Sequence, residues 1–243
     1  MQANINEQGG RIKLSNSAMD AGGYNLGAGW IQDDTVVALA YGRMNSEYGL
    51  PGEDGVFIKL KQDRYQGVVD WNNLDGFINA VHWQNAYTDY EHSEIDVAEV
   101  GTTLKNESIE SRLWGEHASV FGWKGVLGLH YNNTDFEAIG DEAFRPPTKT
   151  TSVAVFLMEE RQTGVFIRQM GSRIEQVTHT VNNDYFAERG SQQNIAFADT
   201  DYVALSGSAG VVFKIDSDNT LAFDYAYCDR APSASEFFGM GCT

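Results

Sequence analysis

Proline is scarce in this 243-residue sequence, at 4 residues, and cysteine is scarcer still, at 2. With so few prolines, long stretches are free to pair their backbone N–H and C=O groups in a ladder. Two cysteines are too few for a disulfide scaffold. Cys228 and Cys242 could close only one loop of about fourteen residues, and only in an oxidising compartment. Basic residues are half as frequent as acidic ones, 17 Lys and Arg against 34 Asp and Glu, for a formal net charge of −17. Phosphate backbones are held by clustered Lys and Arg, so the balance argues against a nucleic-acid partner. It fits solvated acidic loops or the capture of cations. No run of about 18 apolar residues occurs, which excludes a transmembrane helix but not a transmembrane barrel, whose strands alternate. The first ten residues lack a basic start followed by an apolar core and do not read as a secretion signal.

What the sequence has in quantity is aromatic residues (13 Phe, 11 Tyr, 5 Trp) and 25 glycines. The aromatics fit a pleated surface, and glycine fits tight turns and close strand approach. The stretch from Ser108 to Asn133 carries the plainest pattern. Trp123, Leu127, Leu129 and Tyr131 occupy odd positions, broken only by Gly125, while Lys124, Val126, Gly128, His130 and Asn132 take the even ones. A period of two gives one apolar and one wet face. Ile109, Ser111 and Leu113 repeat it before the link at Ala118 to Gly122, and a polar segment from Asn132 to Thr150 follows.

This module recurs along the chain. Short links fall at Gln32 to Thr35, Trp71 to Gly76, Ala118 to Gly122, Arg161 to Gly164 and Asp216 to Asn219. Longer connections are expected at Asn45 to Gly55, Thr88 to Gly101, Asn132 to Thr150, Val177 to Thr200 and beyond Tyr227. A bulge near Arg64 and Tyr65 would account for an apparent change of face in the strand from Val56. Aromatics such as Trp30, Phe77, Trp123, Phe166 and Phe213 sit beside short links, and Tyr41, Tyr87, Tyr90, Tyr131, Phe136, Tyr202, Tyr225 and Tyr227 near long ones. Two aromatic belts with aliphatics between them match the two interfaces of a bilayer. The other face, with Lys59, Glu110, Arg112, Lys124, Arg173 and Glu175, is too charged for a sealed core. The reading is all-β: an antiparallel up-and-down transmembrane β-barrel, partial, with about ten strands of a larger barrel. The alternative is a secreted or surface β-protein that binds glycans or protein partners through aromatic loops.

Several segments resemble one family, the TonB-dependent outer-membrane receptors. They are Asn45-Ser46-Glu47-Tyr48-Gly49-Leu50-Pro51-Gly52, Tyr87-Thr88-Asp89-Tyr90-Glu91-His92, Ala143-Phe144-Arg145-Pro146-Pro147-Thr148, Leu157-Met158-Glu159-Glu160-Arg161 and Asp229-Arg230-Ala231-Pro232-Ser233-Ala234. The likeness is to the branch that takes up zinc or ferric chelates (siderophore type). It implies residence in the Gram-negative outer membrane, contact with its lipid, and transport of a metal ion or metal chelate. It also implies energy supplied by the TonB complex acting through a plug domain that this stretch does not contain. On that basis residues 1–21 are expected to end a preceding loop or strand, and 22–243 to form a barrel fragment.

The densest set of ligand-like side chains is Asp89, Glu91, His92, Glu94, Asp96 and Glu99, read as part of a loop. Carboxylates with an imidazole suit a divalent transition metal, and His92, Glu94 and Asp96 are the expected ligands. A solvated acidic loop is the competing reading of the same residues. Asp135, Glu137 and Arg145 form a second candidate for substrate contact, beside Asp141 and Glu142. No nucleophile with an adjacent base is visible, so neither an enzyme nor a resident cofactor is expected. Asp216-Ser217-Asp218-Asn219 begins like a calcium loop but lacks the later Gly and Glu, and reads as a hairpin turn.

Overall fold

The computed structural model of the chain describes residues 15–96, 99–140, 143, 145–182 and 197–238, together with the backbone of two short strands near the start. Those are β1 (Asn4–Ile5) and β2 (Arg11–Ile12), paired with each other. Ten strands then follow: β3 (Met19–Gln32), β4 (Thr35–Gly49), β5 (Val56–Trp71), β6 (Ile78–Asp96), β7 (Glu99–Val120), β8 (Trp123–Gly140), β9 (Thr148–Thr163), β10 (Phe166–Val181), β11 (Thr200–Lys214) and β12 (Thr220–Tyr227). One sheet holds all ten in strict sequence order, each antiparallel to the next. A short helix, α1 (Ala234–Phe238), follows β12. This is the up-and-down meander that the alternation predicts. Cys242 and residues 141 and 142 lie outside the described residues; Cys228 is an exposed free thiol.

The register sorts every side chain onto one of two faces, because directly opposed residues share a face. One face carries Leu26, Leu39, Val69, Trp83, Leu113, Leu129, Val155, Ile174 and Leu205, linked by pairs such as Trp83↔Leu113, Leu113↔Leu129 and Val155↔Ile174. These apolar side chains stand open, Leu39 at 67% and Leu129 at 50% exposure. An aliphatic surface of that extent is intelligible as the lipid-facing side of a barrel. Tyrosines border it along one edge: Tyr24, Tyr41, Tyr65 and Tyr87 form a row with ring centroids 5.9, 4.8 and 6.1 Å apart. Trp30, Trp71, Trp123, Phe166 and Phe213 border it on the short-turn side, the last two stacked at 5.1 Å. The two girdles of a bilayer crossing are therefore in place. Tyr90, Phe136 and Tyr202, expected in the girdle, fall on the opposite face by parity.

That opposite face is wet. His82 meets the Asp70 carboxylate at 2.6 Å and stacks on Trp114. His130 bridges Glu110 at 3.0 Å and Arg173 at 3.2 Å, and Arg173 also pairs with Glu175 at 3.0 Å. Lys59 is the exception to the expected set: its odd position puts it on the lipid-side face beyond the tyrosine row, near Glu47.

Two expectations are corrected by the pairing. Thr88 to Gly101 is not a long loop, because β6 runs to Asp96 and β7 resumes at Glu99. Polar residues continue as strand there because beyond the girdle both faces meet water, so polarity no longer marks a loop. No bulge occurs at Arg64 and Tyr65; β5 keeps unbroken register with both neighbours. The irregularities lie at Ile78/Ala80, Ser93/Ile95 and His117/Val120. What changes at Tyr65 is the surroundings of one face, from lipid to water, and not the face itself.

Near the short turns a polar pair sits on the lipid-side face. His117, Gly125 and Glu159 are opposed across β7, β8 and β9. The glycine between them leaves room for the His117 Nε2 to meet Glu159 Oε1 at 2.8 Å. Phe77 stacks on the imidazole at 5.6 Å.

Candidate functional site

The ligand-like side chains of β6, Asp89 to Asp96, are divided by the strand's own period. His92, Glu94 and Asp96 fall on the wet, pore-side face, opposite Leu60, Ile58 and Val56 of β5. Successive same-face residues of a strand lie about 7 Å apart, and the three side chains do not converge. His92 shares a hydrogen bond with the Tyr90 hydroxyl, Oη to Nδ1 3.2 Å. Among the described residues no group of three His, Cys, Asp or Glu is arranged to hold a metal ion. The trio thus lines a rim rather than closing on a point.

Asp89 and Glu91 point the other way, onto the lipid-side face beyond the tyrosine row. Asp89 opposes Asp63 and Glu107, and Glu91 lies between Lys61 and Lys105. Asp135 and Glu137 share that face, opposite Glu107 and Lys105. Neighbours in sequence cannot form one cluster on a strand, since odd and even positions are on opposite sides. The reading of these residues as one loop fails for that reason.

Arg145 is buried, at 9% exposure. Its guanidinium lies 3.5 Å from the centroid of the Phe136 ring, and Nη1 donates to Ser235 Oγ at 3.0 Å. Burial pushes its pKa below the ordinary arginine value. A cation on an aromatic face, bonded to a distant segment, holds the fold together.

That distant segment is the feature sequence reasoning undervalued. After β12 the chain turns back over the pore-side face of β9 and β10. Tyr202 donates to Asp229 Oδ1 at 2.9 Å, and His179, only 2% exposed, shares hydrogen bonds with Thr150 Oγ1 at 2.8 Å and the Pro232 carbonyl at 3.1 Å. Val181, Ala234 and Phe238 form a small apolar core beside it. The helix starts with a capping box: Ser233 N–H donates to Glu236 Oε2 at 2.6 Å, and Glu236 N–H to Ser233 Oγ at 3.4 Å. Arg230 grips the same carboxylate through both nitrogens, at 2.9 and 2.8 Å. These donors hold the Glu236 carboxyl down to about 2. The Ser-x-x-Glu spacing was the signal in the sequence; nothing local announced where the strap would dock.

A meandering sheet with a lipid-side apolar band, two aromatic girdles and a polar inner wall defines an outer-membrane-type β-barrel. The family model described as "TonB dependent receptor-like, beta-barrel" matches residues 2–241. The chain belongs to that family, which is one of receptors, in keeping with the non-catalytic reading. No curated protein matches the sequence. Solved structures share the fold, and two of them illustrate it. The structure titled "Copper transporter OprC" aligns at TM-score 0.76 and 13% identity, covering 93% of this chain and 39% of that one. "The FrpB iron transporter from Neisseria meningitidis (F3-3 variant)" aligns at TM-score 0.71 and 13% identity, covering 94% and 39%. The chain spans about two fifths of each, 39%.

Proposed function

We propose that the chain, residues 22–243 above all, is the barrel portion of an outer-membrane receptor that takes up a metal ion or metal chelate with energy from the TonB complex. The observation that carries this is the split of faces: an apolar belt for lipid on one side and a continuous wet wall on the other. Family membership supports transport, and the copper and iron transporters that share the fold support a metal cargo. His92, Glu94 and Asp96, on the pore-side face at the end remote from the short turns, are the residues assigned to first contact with the cargo. Their spacing suits successive weak contacts better than one tight cage, since tetrahedral zinc needs ligand atoms about 2 Å from the ion. The TonB partner and a plug would act through the remainder of the receptor.

The test is metal binding by the full-length receptor in micelles. With zinc or a ferric chelate as titrant, His92→Ala and Glu94→Gln should weaken binding, about tenfold for each lost ligand contact of roughly 1.4 kcal/mol. Asp89→Asn and Glu91→Gln, on the other face, should leave it unchanged. Equal affinity in all four variants removes the pore-side trio from the site.

A further inference from the structure

On the lipid-side face, β9 and β10 set two arginines directly against each other. Arg161 and Arg168 are register partners just above the short turn that joins these strands. Like charges directly opposed across a ladder are destabilising. Neither guanidinium has a hydrogen-bond or ion-pair partner among the described residues. The nearest acid on this face, Glu159, is one pair further up, opposite Met170, and its Oε1 is engaged by His117 at 2.8 Å.

Their level in the bilayer follows from their neighbours. Arg161 opposes Trp123 on β8, and Arg168 opposes Val211 on β11. One pair closer to the turn, the Phe166 and Phe213 rings stack. The arginines thus lie within the short-turn girdle, where headgroups meet the hydrocarbon, and short turns of such barrels face the periplasm. Arg161 runs beside the turn glycine Gly122, where an added Cβ would come within 3.3 Å of its Nε. An uncompensated cation facing lipid is costly, and two of them in register call for an anion at headgroup depth.

We propose that Arg161 and Arg168 form a binding site for the phosphate of an anionic phospholipid in the periplasmic leaflet. Two arginines opposed in register, with Cβ atoms about 5 Å apart across the ladder, can bring both planar guanidinium forks to one tetrahedral phosphate, each donating to different oxygens. Trp123 and Phe166 flank the forks and supply the amphipathic collar in which acyl chains and glycerol meet. The occupant is a lipid headgroup rather than free phosphate, because the site opens onto the apolar belt and not onto the pore.

The experiment is native mass spectrometry of the full-length receptor in detergent micelles, titrated with phosphatidylglycerol, with uncharged diacylglycerol, or with inorganic phosphate. Each basic group beside an anionic bilayer surface is worth about fivefold. Arg161→Gln/Arg168→Gln should therefore bind phosphatidylglycerol about thirtyfold more weakly than the wild type, and each single variant about fivefold. Arg161→Lys/Arg168→Lys, which keeps the charge, should recover most of the loss, separating a failed fold from a lost site. Equal phosphatidylglycerol binding by wild type and double Gln variant overturns the proposal. Equal retention of diacylglycerol, or full displacement of the lipid by millimolar inorganic phosphate, also overturns it.

Discussion

Gly125 offers the sharpest test of how the sheet is packed. A Cβ added there would overlap the Met158 carbonyl oxygen and lie 2.9 Å from its carbon and 3.0 Å from the Glu159 Cα. All three atoms are backbone of β9, so no side chain can swing aside; β8 and β9 must separate locally. Overpacking of this kind costs about 1–3 kcal/mol. The same methyl intrudes between His117 and Glu159, whose side chains are only 8% and 16% exposed and which meet across the glycine. Losing a hydrogen bond to a charged group adds about 1.5–3 kcal/mol. Gly125→Ala in the full-length receptor should thus destabilise the barrel by about 2.5–6 kcal/mol. The readout is urea unfolding in lipid vesicles followed by heat-modifiable electrophoretic mobility. Gly22→Ala is the control: it is also a strand glycine, but a Cβ there meets nothing within 4 Å. That substitution should be neutral or stabilise by up to about 1 kcal/mol, by reducing the freedom of the unfolded chain. If the two variants unfold at the same urea concentration, the close approach of β8 to β9 at Gly125 is wrong. If His117→Ala costs as much in the Gly125→Ala background as alone, the glycine does not serve the pair.

Two other measurements bear on separate parts of the molecule. Leu129 and Asn132 lie on one strand but face opposite sides, so Leu129→Arg should cost about 2–4 kcal/mol in a bilayer and Asn132→Arg, opposite Glu110 on the wet face, close to nothing by the same unfolding assay; equal costs would undo the assignment of faces. The Glu236 carboxyl is held down to about 2 by Arg230 and the capping box. Because its folded pKa is depressed, its stabilisation of the strap is complete above the unfolded value of about 4.5 and is lost as pH falls towards 2. A carbon-13 carboxyl titration by NMR should show a midpoint near 2 in the wild type and an upward move in Arg230→Gln; an unmoved midpoint would mean that the ion pair is not formed in solution.

The parts of this fold that were legible in the sequence are those where lipid and water meet opposite faces. From Trp123 to Asn132 the odd positions seek hydrocarbon and the even ones water, so strand, register and face all follow from one pattern. Beyond the tyrosine row that contrast vanishes. Tyr90 to Glu94 is polar on both sides yet remains paired, and polarity alone makes it look like a loop. The same error merged Asp89 and Glu91 with His92 and Glu94, which the strand period keeps apart. Arg145's structural role is hidden for a different reason: its partner Ser235 is 90 residues distant in sequence. Contacts of that range leave no local signature, whereas the capping box at Ser233 and Glu236 did.

The length of β6 has a consequence for how a cation would reach the receptor. Asp96 lies nine positions past Tyr87, so a tilted strand carries it roughly 20 Å above the outer girdle. At physiological ionic strength the Debye length is about 8 Å. Charge on the membrane surface is therefore largely damped at that height, and the field an ion meets there is set by the protein's own side chains.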